Sequence, residues 1–219
     1  MAAKKRIGIL ISGRGSNMAS LISAAREPDY PAEIVCVLSN RPAAEGLARA
    51  AAAGIATQAI DHKAFATREA FEEQLDAALH AAGVEIVACA GFMRKMTAGF
   101  VERWRDRMLN IHPSLLPSFK GLDTHARALA AGVKLAGCTV HIVRPELDAG
   151  PIIAQAAVPV LCGDTPELLA ARVLEAEHLL YPHALSLLAS GKAAIDGERV
   201  KIVQVPVNQA KPLYWPPLK

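Results

Sequence analysis

The 219-residue sequence contains only four cysteines, and no two of them form a C-x-x-C pair. Cys36, Cys89, Cys138 and Cys162 each lie in or beside an apolar, strand-like run, which is typical of buried thiols. The sequence also lacks the H-E-x-x-H pattern of helical zinc sites. We therefore expect a protein that binds no metal and works in a reducing, cytoplasmic compartment.

Long hydrophobic runs are missing as well. The basic start is followed by an apolar run that ends at Ile11, which is too short for a signal peptide or a membrane span. The net charge is only +3, so charge gives no reason to expect a nucleic-acid partner. Apolar residues make up 52% and charged residues 21%, the composition of an ordinary globular protein. We expect neither a membrane nor a nucleic-acid partner.

Strand and helix patterns alternate through the first half of the chain. Near-continuous apolar strands separated by helices are typical of a parallel sheet covered on both faces. The predicted strands are Arg6–Ser12, Glu33–Ser39, Ala56–Ile60, Val84–Ala90 and Met108–His112. The predicted helices run from about Asn17 to Arg26, from Pro42 to Gly54, from Thr67 to Ala82 and from Thr97 to Arg107.

The second half of the chain has a different pattern. Two apolar runs, Lys134–Val143 and Pro151–Val160, are joined by a loop too short for a parallel crossover, which predicts an antiparallel pair. A long helix, Thr165–Ser190, and a polar tail follow. The fold class predicted is α/β, a single domain over 1–219 with a doubly wound, mostly parallel sheet flanked by helices and an antiparallel strand in the C-terminal half.

A glycine-rich turn, Ser12–Asn17, joins the first strand to the first helix. In a doubly wound fold this turn places free backbone N–H groups and a helix N-terminus at the carboxyl edge of the sheet, where phosphate binds. The third glycine of G-x-G-x-x-G would fall at Met18, and no Gly-Lys-Ser/Thr follows. The pattern therefore favours a phosphate site over an NAD or ATP site, and the alternative is a tight turn that only caps the helix.

Polar side chains alternate with apolar ones in the strand Met108–His112. Asn110 and His112 point to one face of the strand, and Leu109 and Ile111 to the other. An amide beside a titratable imidazole suits stabilisation of a developing oxyanion, and the alternative is a histidine satisfied at a turn. Asp148 lies in a loop stiffened by prolines. Close to His112 it would favour the protonated ring and relay a proton, whereas alone it is typical of a solvated turn.

These segments resemble a known family. Asn110–Pro117 (NIHPSLLP), followed by Gly121 and by Leu147–Pro151 (LDAGP), resembles the folate-dependent formyltransferases. The segments that narrow the resemblance to the phosphoribosylglycinamide formyltransferases are Ser12–Asn17, Thr67–Ala70, Ala90–Arg94 and Glu177-His178. The resemblance implies transfer of the formyl group of 10-formyltetrahydrofolate to the primary amine of glycinamide ribonucleotide (GAR), a step of purine biosynthesis that needs no metal.

The resemblance also implies roles for residues. Asn110 and protonated His112 would hold the oxyanion, and Asp148 would assist proton transfer. The residues implied to bind GAR are Gly15, Ser16, Asn17, Leu174, Glu175, Ala176 and Glu177. The residues implied to bind the folate are Arg68, Met93, Arg94, Lys95, Met96, Asn110, Arg144, Pro145, Glu146, Leu147 and Asp148. In this division 1–110 is the nucleotide-phosphate half, 111–190 the folate and catalytic half, and 191–219 a C-terminal tail. A monomer and a homodimer are both compatible with the sequence.

Three alternative functions compete with this interpretation. Methionyl-tRNA formyltransferase has a C-terminal RNA-binding domain, whereas only a short tail follows Gly191 here. Formyltetrahydrofolate deformylase has an N-terminal regulatory domain, whereas the first strand here begins at Arg6. A noncatalytic phosphate-binding module has no need of a titratable donor beside a strand-end amide. Each comparison favours the phosphoribosylglycinamide formyltransferases.

Overall fold

The computed structural model describes residues 3–203 and 215–216. Its strands are β1 (Lys5–Ile11), β2 (Ala32–Ser39), β3 (Ala56–Ala59), β4 (Ile86–Cys89), β5 (Met108–His112), β6 (Leu135–Ile142), β7 (Ile152–Pro159), β8 (Ala193–Asp196) and β9 (Arg199–Ile202). Its α-helices are α1 (Ser16–Ala25), α2 (Glu45–Ala52), α3 (Arg68–Ala81), α4 (Ala98–Arg103), α5 (Thr124–Ala130) and α6 (Pro166–Ala189).

Seven strands form one sheet in the order β3-β2-β1-β4-β5-β6-β7. Strands β1 to β5 pair in parallel, and β6 pairs antiparallel with both β5 and β7. The predicted doubly wound sheet and its antiparallel pair are therefore confirmed. The chain moves outward from β1 to β3 and then returns to place β4 on the other side of β1. Ligands of open α/β sheets bind outside the carboxyl ends of the strands at such a reversal.

Helices cover both faces of the sheet because its central strands are apolar on both sides. On one face, Met18 and Leu21 of α1 and Tyr181 and Leu185 of α6 pack with Leu109 in one core cluster. On the other face, α3 and α4 contribute to a second cluster that includes the fully buried Trp104. The longest helix, α6, spans 24 residues. Neither α6 nor any other helix within the described ranges is long and apolar enough to cross a membrane.

Several element bounds differ from the sequence prediction. The helix predicted over Thr97–Arg107 ends at Arg103, and the chain turns at Asp106, which has a φ of 61°. The seven-residue helix α5 escaped prediction because it is too short to show a helical period. The predicted polar tail contains the β8–β9 hairpin, which its Asp196-Gly197 pair could have revealed. Residues 204–214 and 217–219 of that tail lie outside the described residues.

Gly137 sets the close approach of β6 and β7. A Cβ atom at this position would lie 1.9 Å from the carbonyl oxygen of Ala156 and 2.9 Å from Leu115 Cδ2. Backbone cannot move aside as a flexible side chain can, so the strand pair would have to separate. We expect Gly137→Ala to lower the free energy of unfolding by about 3 kcal/mol, a fall in Tm of about 6–12 °C measured by differential scanning calorimetry.

Gly99 provides the matched control. It lies in α4, and the nearest atoms to a Cβ there would be 3.9 and 4.0 Å away. Alanine is a better helix former than glycine, so Gly99→Ala should raise the free energy of unfolding by about 0.5–1 kcal/mol. Equal Tm values for Gly137→Ala and the parent protein would contradict the role given to Gly137.

Candidate active site

The glycine turn after β1 opens a cleft at the switch point of the sheet. The cleft is lined by Gly13, Arg14, Gly15, Ser16, Asn17, Ala90 and Gly91. Gly15 is the N-cap of α1, with a φ of 70° and no side chain to cap the helix. By contrast, α3, α4 and α6 each begin at a threonine whose hydroxyl accepts a hydrogen bond from the first turn. The first N–H groups of α1 therefore remain open to an anion in the cleft.

Gly15 is also required by packing. A Cβ atom there would lie 3.2 Å from the Cα atom of Gly46, at the start of α2. Gly46 in turn donates its backbone N–H to the carbonyl of Gly13 over 3.0 Å. Two glycines thus let the backbone of the turn pass close to α2, which holds the cleft in shape.

Asn17 and Glu177 join the two helices at one side of the cleft. Asn17 Nδ2 donates to Glu177 Oε2 over 2.7 Å. Glu177 is 6% exposed, and burial raises the pKa of its carboxyl group while the hydrogen bond from Asn17 lowers it. The Oδ1 atom of Asn17 is buried and has no hydrogen-bond partner among the described residues. The pair thus offers an acceptor on each residue to a ligand that enters between α1 and α6.

Asn110 is oriented by His141, which faces it across the β5–β6 pair. The two residues are in register, and Asn110 Nδ2 lies 3.3 Å from His141 Nε2. His141 Nδ1 lies 3.0 Å from the carbonyl of Ile142. Burial lowers the pKa of His141, against a smaller rise from that backbone contact. A neutral His141 that donates from Nδ1 leaves Nε2 as the acceptor for Asn110, and the second N–H of the amide remains free.

His112 meets an acceptor at each ring nitrogen. Its Nε2 atom lies 3.0 Å from the carbonyl oxygen of Phe119, and its Nδ1 atom lies 3.5 Å from Asp148 Oδ2. Only 7% of the side chain is exposed. The surroundings therefore supply one acceptor for each N–H of a protonated ring. The contact to Asp148 is longer than an ordinary hydrogen bond, so the Nδ1 side is the one available to a further acceptor.

Asp148 lies beside both histidines. It adopts a left-handed backbone conformation, with a φ of 48°, which aspartate and asparagine tolerate better than most residues. Its Oδ2 atom accepts a hydrogen bond of 2.9 Å from the Gly121 N–H, and its Oδ1 atom lies 4.0 Å from His141 Nε2. The structure thus brings Asn110, His112 and Asp148 into one connected group.

The sequence profile of the formyl transferase family matches residues 5–185. The chain belongs to this family. Phosphoribosylglycinamide formyltransferase of Escherichia coli K12 is 42% identical over 201 residues, which cover 89% of this chain and 95% of the E. coli protein. The human trifunctional purine biosynthetic protein adenosine-3 is 50% identical over 202 residues. These cover 92% of this chain but only 20% of the human protein, so the chain spans about a fifth of that relative.

A solved structure agrees with the family assignment. The crystal structure of glycinamide ribonucleotide transformylase 1 from Symbiobacterium toebii matches this chain with a TM-score of 0.90 and 46% sequence identity. The match covers 93% of this chain and 96% of that one. The resemblance to the formyltransferases stated from the sequence is therefore confirmed.

His141 is a member of this candidate site that the sequence analysis passed over. The strand pairing could have revealed His141, because β6 runs antiparallel to β5 and places His141 opposite Asn110. Side-chain alternation would then have put His141 on the face of Asn110 and His112. The pairing register could not be fixed without the turn that joins the two strands, and that segment contains the unpredicted α5.

The residues expected to bind folate are distributed around this group. Met93 and Leu147 are 60% and 53% exposed, large apolar side chains open to solvent. Arg94 lies over the ring of Phe71, 5.2 Å from its centroid, and Met96 packs against the core cluster of α3 and α4. Exposed positions in the set are Arg68, Lys95, Pro145 and Glu146. In the GAR set, Leu174 and Ala176 are half-buried and Glu175 is exposed.

Arg144 has a different environment from the rest of the predicted folate set. Its side chain is 7% exposed, and its guanidinium binds Asp106 and Glu198. The guanidinium is therefore already paired, so only the backbone of Arg144 remains to contact a folate as predicted.

No group of three or more histidine, cysteine, aspartate or glutamate side chains that could hold a metal occurs within residues 3–203 and 215–216.

Proposed function

We propose that this formyl transferase moves the formyl group of 10-formyltetrahydrofolate to the primary amine of glycinamide ribonucleotide, producing formyl-GAR and tetrahydrofolate in purine biosynthesis. The observation that carries the proposal is the connected group of Asn110, His112 and Asp148 at the same sheet edge as an open helix N-terminus. The open helix N-terminus suits a phosphate-bearing substrate, and the group of three residues suits an acyl transfer. The named relatives support the same reaction.

The α1 cleft would hold the ribonucleotide. The open N–H groups of Gly15, Ser16 and Asn17 suit the phosphate, because the helix dipole favours an anion at this end. The free acceptors on Asn17 and Glu177 suit the hydroxyl and amide donors of the ribose and glycinamide end. The neighbouring helix turn, 174–177, would complete that part of the site.

The exposed apolar side chains fit the flat ring of a folate. Met93 follows β4, whose last residue, Cys89, pairs with Asn110, and Leu147 immediately precedes Asp148. The side chains of Met93 and Leu147 are 60% and 53% exposed, so they present apolar surface to water in the free protein. A bound ring would remove that surface from water, which is favourable. Arg68, at the start of α3, is exposed and suits pairing with a folate carboxylate.

Asn110 and His112 would stabilise the charge that develops on the formyl oxygen. When the amine attacks, a C–N bond forms and the carbonyl electron pair moves to that oxygen. The free N–H of Asn110 and the Nδ1–H of a protonated His112 donate to it. His141 fixes the orientation of the amide, and the Phe119 carbonyl fixes the orientation of the ring.

Asp148 would handle the proton that the reaction must move. The attacking nitrogen loses one proton, and the N10 nitrogen of the folate gains one as its bond to the formyl carbon breaks. A carboxylate beside His112 can accept the first proton and return it to the leaving nitrogen, directly or through a water. Atoms and charge then balance, with neither an oxidant nor a reductant.

The direct test compares acceptors for the formyl group. Purified protein is mixed with 10-formyltetrahydrofolate and with GAR, charged initiator tRNA or buffer alone, and tetrahydrofolate formation is followed by absorbance. We expect rapid turnover with GAR and a rate near background for the other two. Turnover with tRNA or water but not with GAR would replace the proposal by methionyl-tRNA formyltransferase or deformylase activity, and no turnover with any acceptor would favour a noncatalytic binding module.

A further inference from the structure

Arg144 joins three segments that are distant in sequence. Its Nε atom lies 3.0 and 3.1 Å from the two carboxylate oxygens of Glu198, and its Nη2 atom donates to Asp106 Oδ1 over 2.8 Å. Nη2 also lies 3.3 Å from the carbonyl of Gly197. Asp106 precedes β5, and Gly197 and Glu198 form the turn of the β8–β9 hairpin. A buried guanidinium with several charge-assisted contacts is held firmly in one orientation.

Arg144 also begins the loop that carries Asp148. This loop, 144–150, leaves β6 and returns to β7. Backbone hydrogen bonds fix its two ends, from Val143 N to Met108 O and from Ile142 N to Pro151 O, each 2.8 Å long. Between the ends, Arg144 contacts the hairpin and Asp106, whereas Asp148 contacts His112 and Gly121. The loop is therefore held on one side by Arg144 and on the other by the catalytic group.

The hairpin that contacts Arg144 lies outside the segment that defines the family. The family profile matches residues 5–185, whereas β8 and β9 span residues 193–202. Glu198 itself is 60% exposed, so its carboxylate is not needed to fill the core. Both of its carboxylate oxygens share the Nε–H of a buried arginine, and this contact points to a function in holding the loop.

We propose that Arg144 is a positioning residue for formyl transfer, and that Glu198 of the β8–β9 hairpin holds it in place. The pair orients the loop so that Asp148 stays within reach of His112 and of the transferred proton. The hairpin is thereby part of the catalytic apparatus, although it contacts no reacting atom. This inference rests on the proposed function, since the group that it positions is the one assigned to formyl transfer.

The test uses Arg144→Met and Glu198→Gln in the full-length chain. We expect each to lower kcat about 10-fold, because small displacements of a catalytic group have large effects on rate. The KM for GAR should change less than twofold, because the phosphate cleft is formed by other segments. The double variant should lose little more kcat than Arg144→Met alone, since Glu198 acts through Arg144. Glu198 is exposed, so Glu198→Gln keeps the test valid if Arg144→Met fails to fold.

Lys201→Met is the matched control. It removes an ion pair of 2.6 Å between Lys201 and Asp196 in the same hairpin, with side chains 72% and 60% exposed. This variant should keep the parent kcat. Unchanged kcat in Arg144→Met and Glu198→Gln, measured well below their Tm, would overturn the proposal. An equal loss of kcat in Lys201→Met would also overturn it, because hairpin stability rather than the Arg144 link would then be responsible.

A second readout separates this inference from the proposed function. Nitrogen-15 NMR of the His112 ring, recorded on the protein without ligands, reports on the contact with Asp148. Glu198→Gln should shift the ring signals and Lys201→Met should not. If the parent protein transfers no formyl group to GAR, the proposed function fails, whereas the NMR comparison still decides whether Glu198 controls the His112–Asp148 contact. Identical spectra for the parent and Glu198→Gln would refute that control.

Discussion

Replacing His112 with alanine should lower the kcat of formyl transfer by about 10²- to 10³-fold, the usual effect of removing one oxyanion donor. The Nδ1 atom of this ring is the available donor, since Nε2 is occupied by the Phe119 carbonyl. The KM for GAR should stay near the parent value, because the phosphate cleft is built from the α1 turn. Steady-state kinetics with both substrates varied gives the two constants.

His183→Ala is the control for the His112 variant. His183 lies on α6 and is exposed to solvent. Its replacement should leave kcat unchanged, although it removes the same side chain. A His112→Ala enzyme with near-normal kcat would remove this histidine from the mechanism and leave Asn110 as the sole assigned donor to the oxyanion.

Asp148→Asn should reduce kcat by about 10²-fold or more, because the proton acceptor assigned to the reaction is lost. The change is nearly isosteric, and asparagine tolerates the left-handed backbone at this position. Folding should therefore be little affected, which circular dichroism can check. The expected fall in kcat can then be attributed to lost chemistry rather than to a rearranged loop.

Asp123→Asn makes the same change in the same backbone setting. Asp123 also has a positive φ, 55°, but its side chain makes no capping hydrogen bond to α5 and is exposed. We expect this variant to keep the parent kcat. Equal rates for Asp148→Asn and the parent protein would show that Asp148 moves no proton in the rate-limiting step.

The sequence was most informative where apolar side chains follow a regular pattern along the chain. Apolar runs located β1, β2, β4, β5 and the β6–β7 pair because buried strands need continuous apolar side chains. The predicted starts of two helices, Thr67 and Thr165, are the residues that cap α3 and α6 in the structure. Short elements such as α5 carried too little pattern to be found.

The candidate site likewise contains some residues that the local sequence could identify and others that it could not. The glycine turn and the Asn110–His112 alternation could be interpreted from neighbouring residues alone. Asp148 could be considered from its loop, but its proximity to His112 could be expected only through the resemblance, because the contact spans 36 positions of sequence (148 minus 112). His141 and Glu198 were missed because each acts through a partner that is distant in the chain.

The sequence by itself determined the alternating α/β architecture, the glycine turn at Gly15 and the presentation of Asn110 and His112 on one strand face. These features follow from side-chain periodicity and from the freedom of glycine, which are local properties. Only the tertiary structure decided that Asp148 meets His112, that His141 orients Asn110, and that Arg144 ties the loop of Asp148 to the β8–β9 hairpin. Those contacts depend on strand register and loop path, which form only when the whole sheet packs.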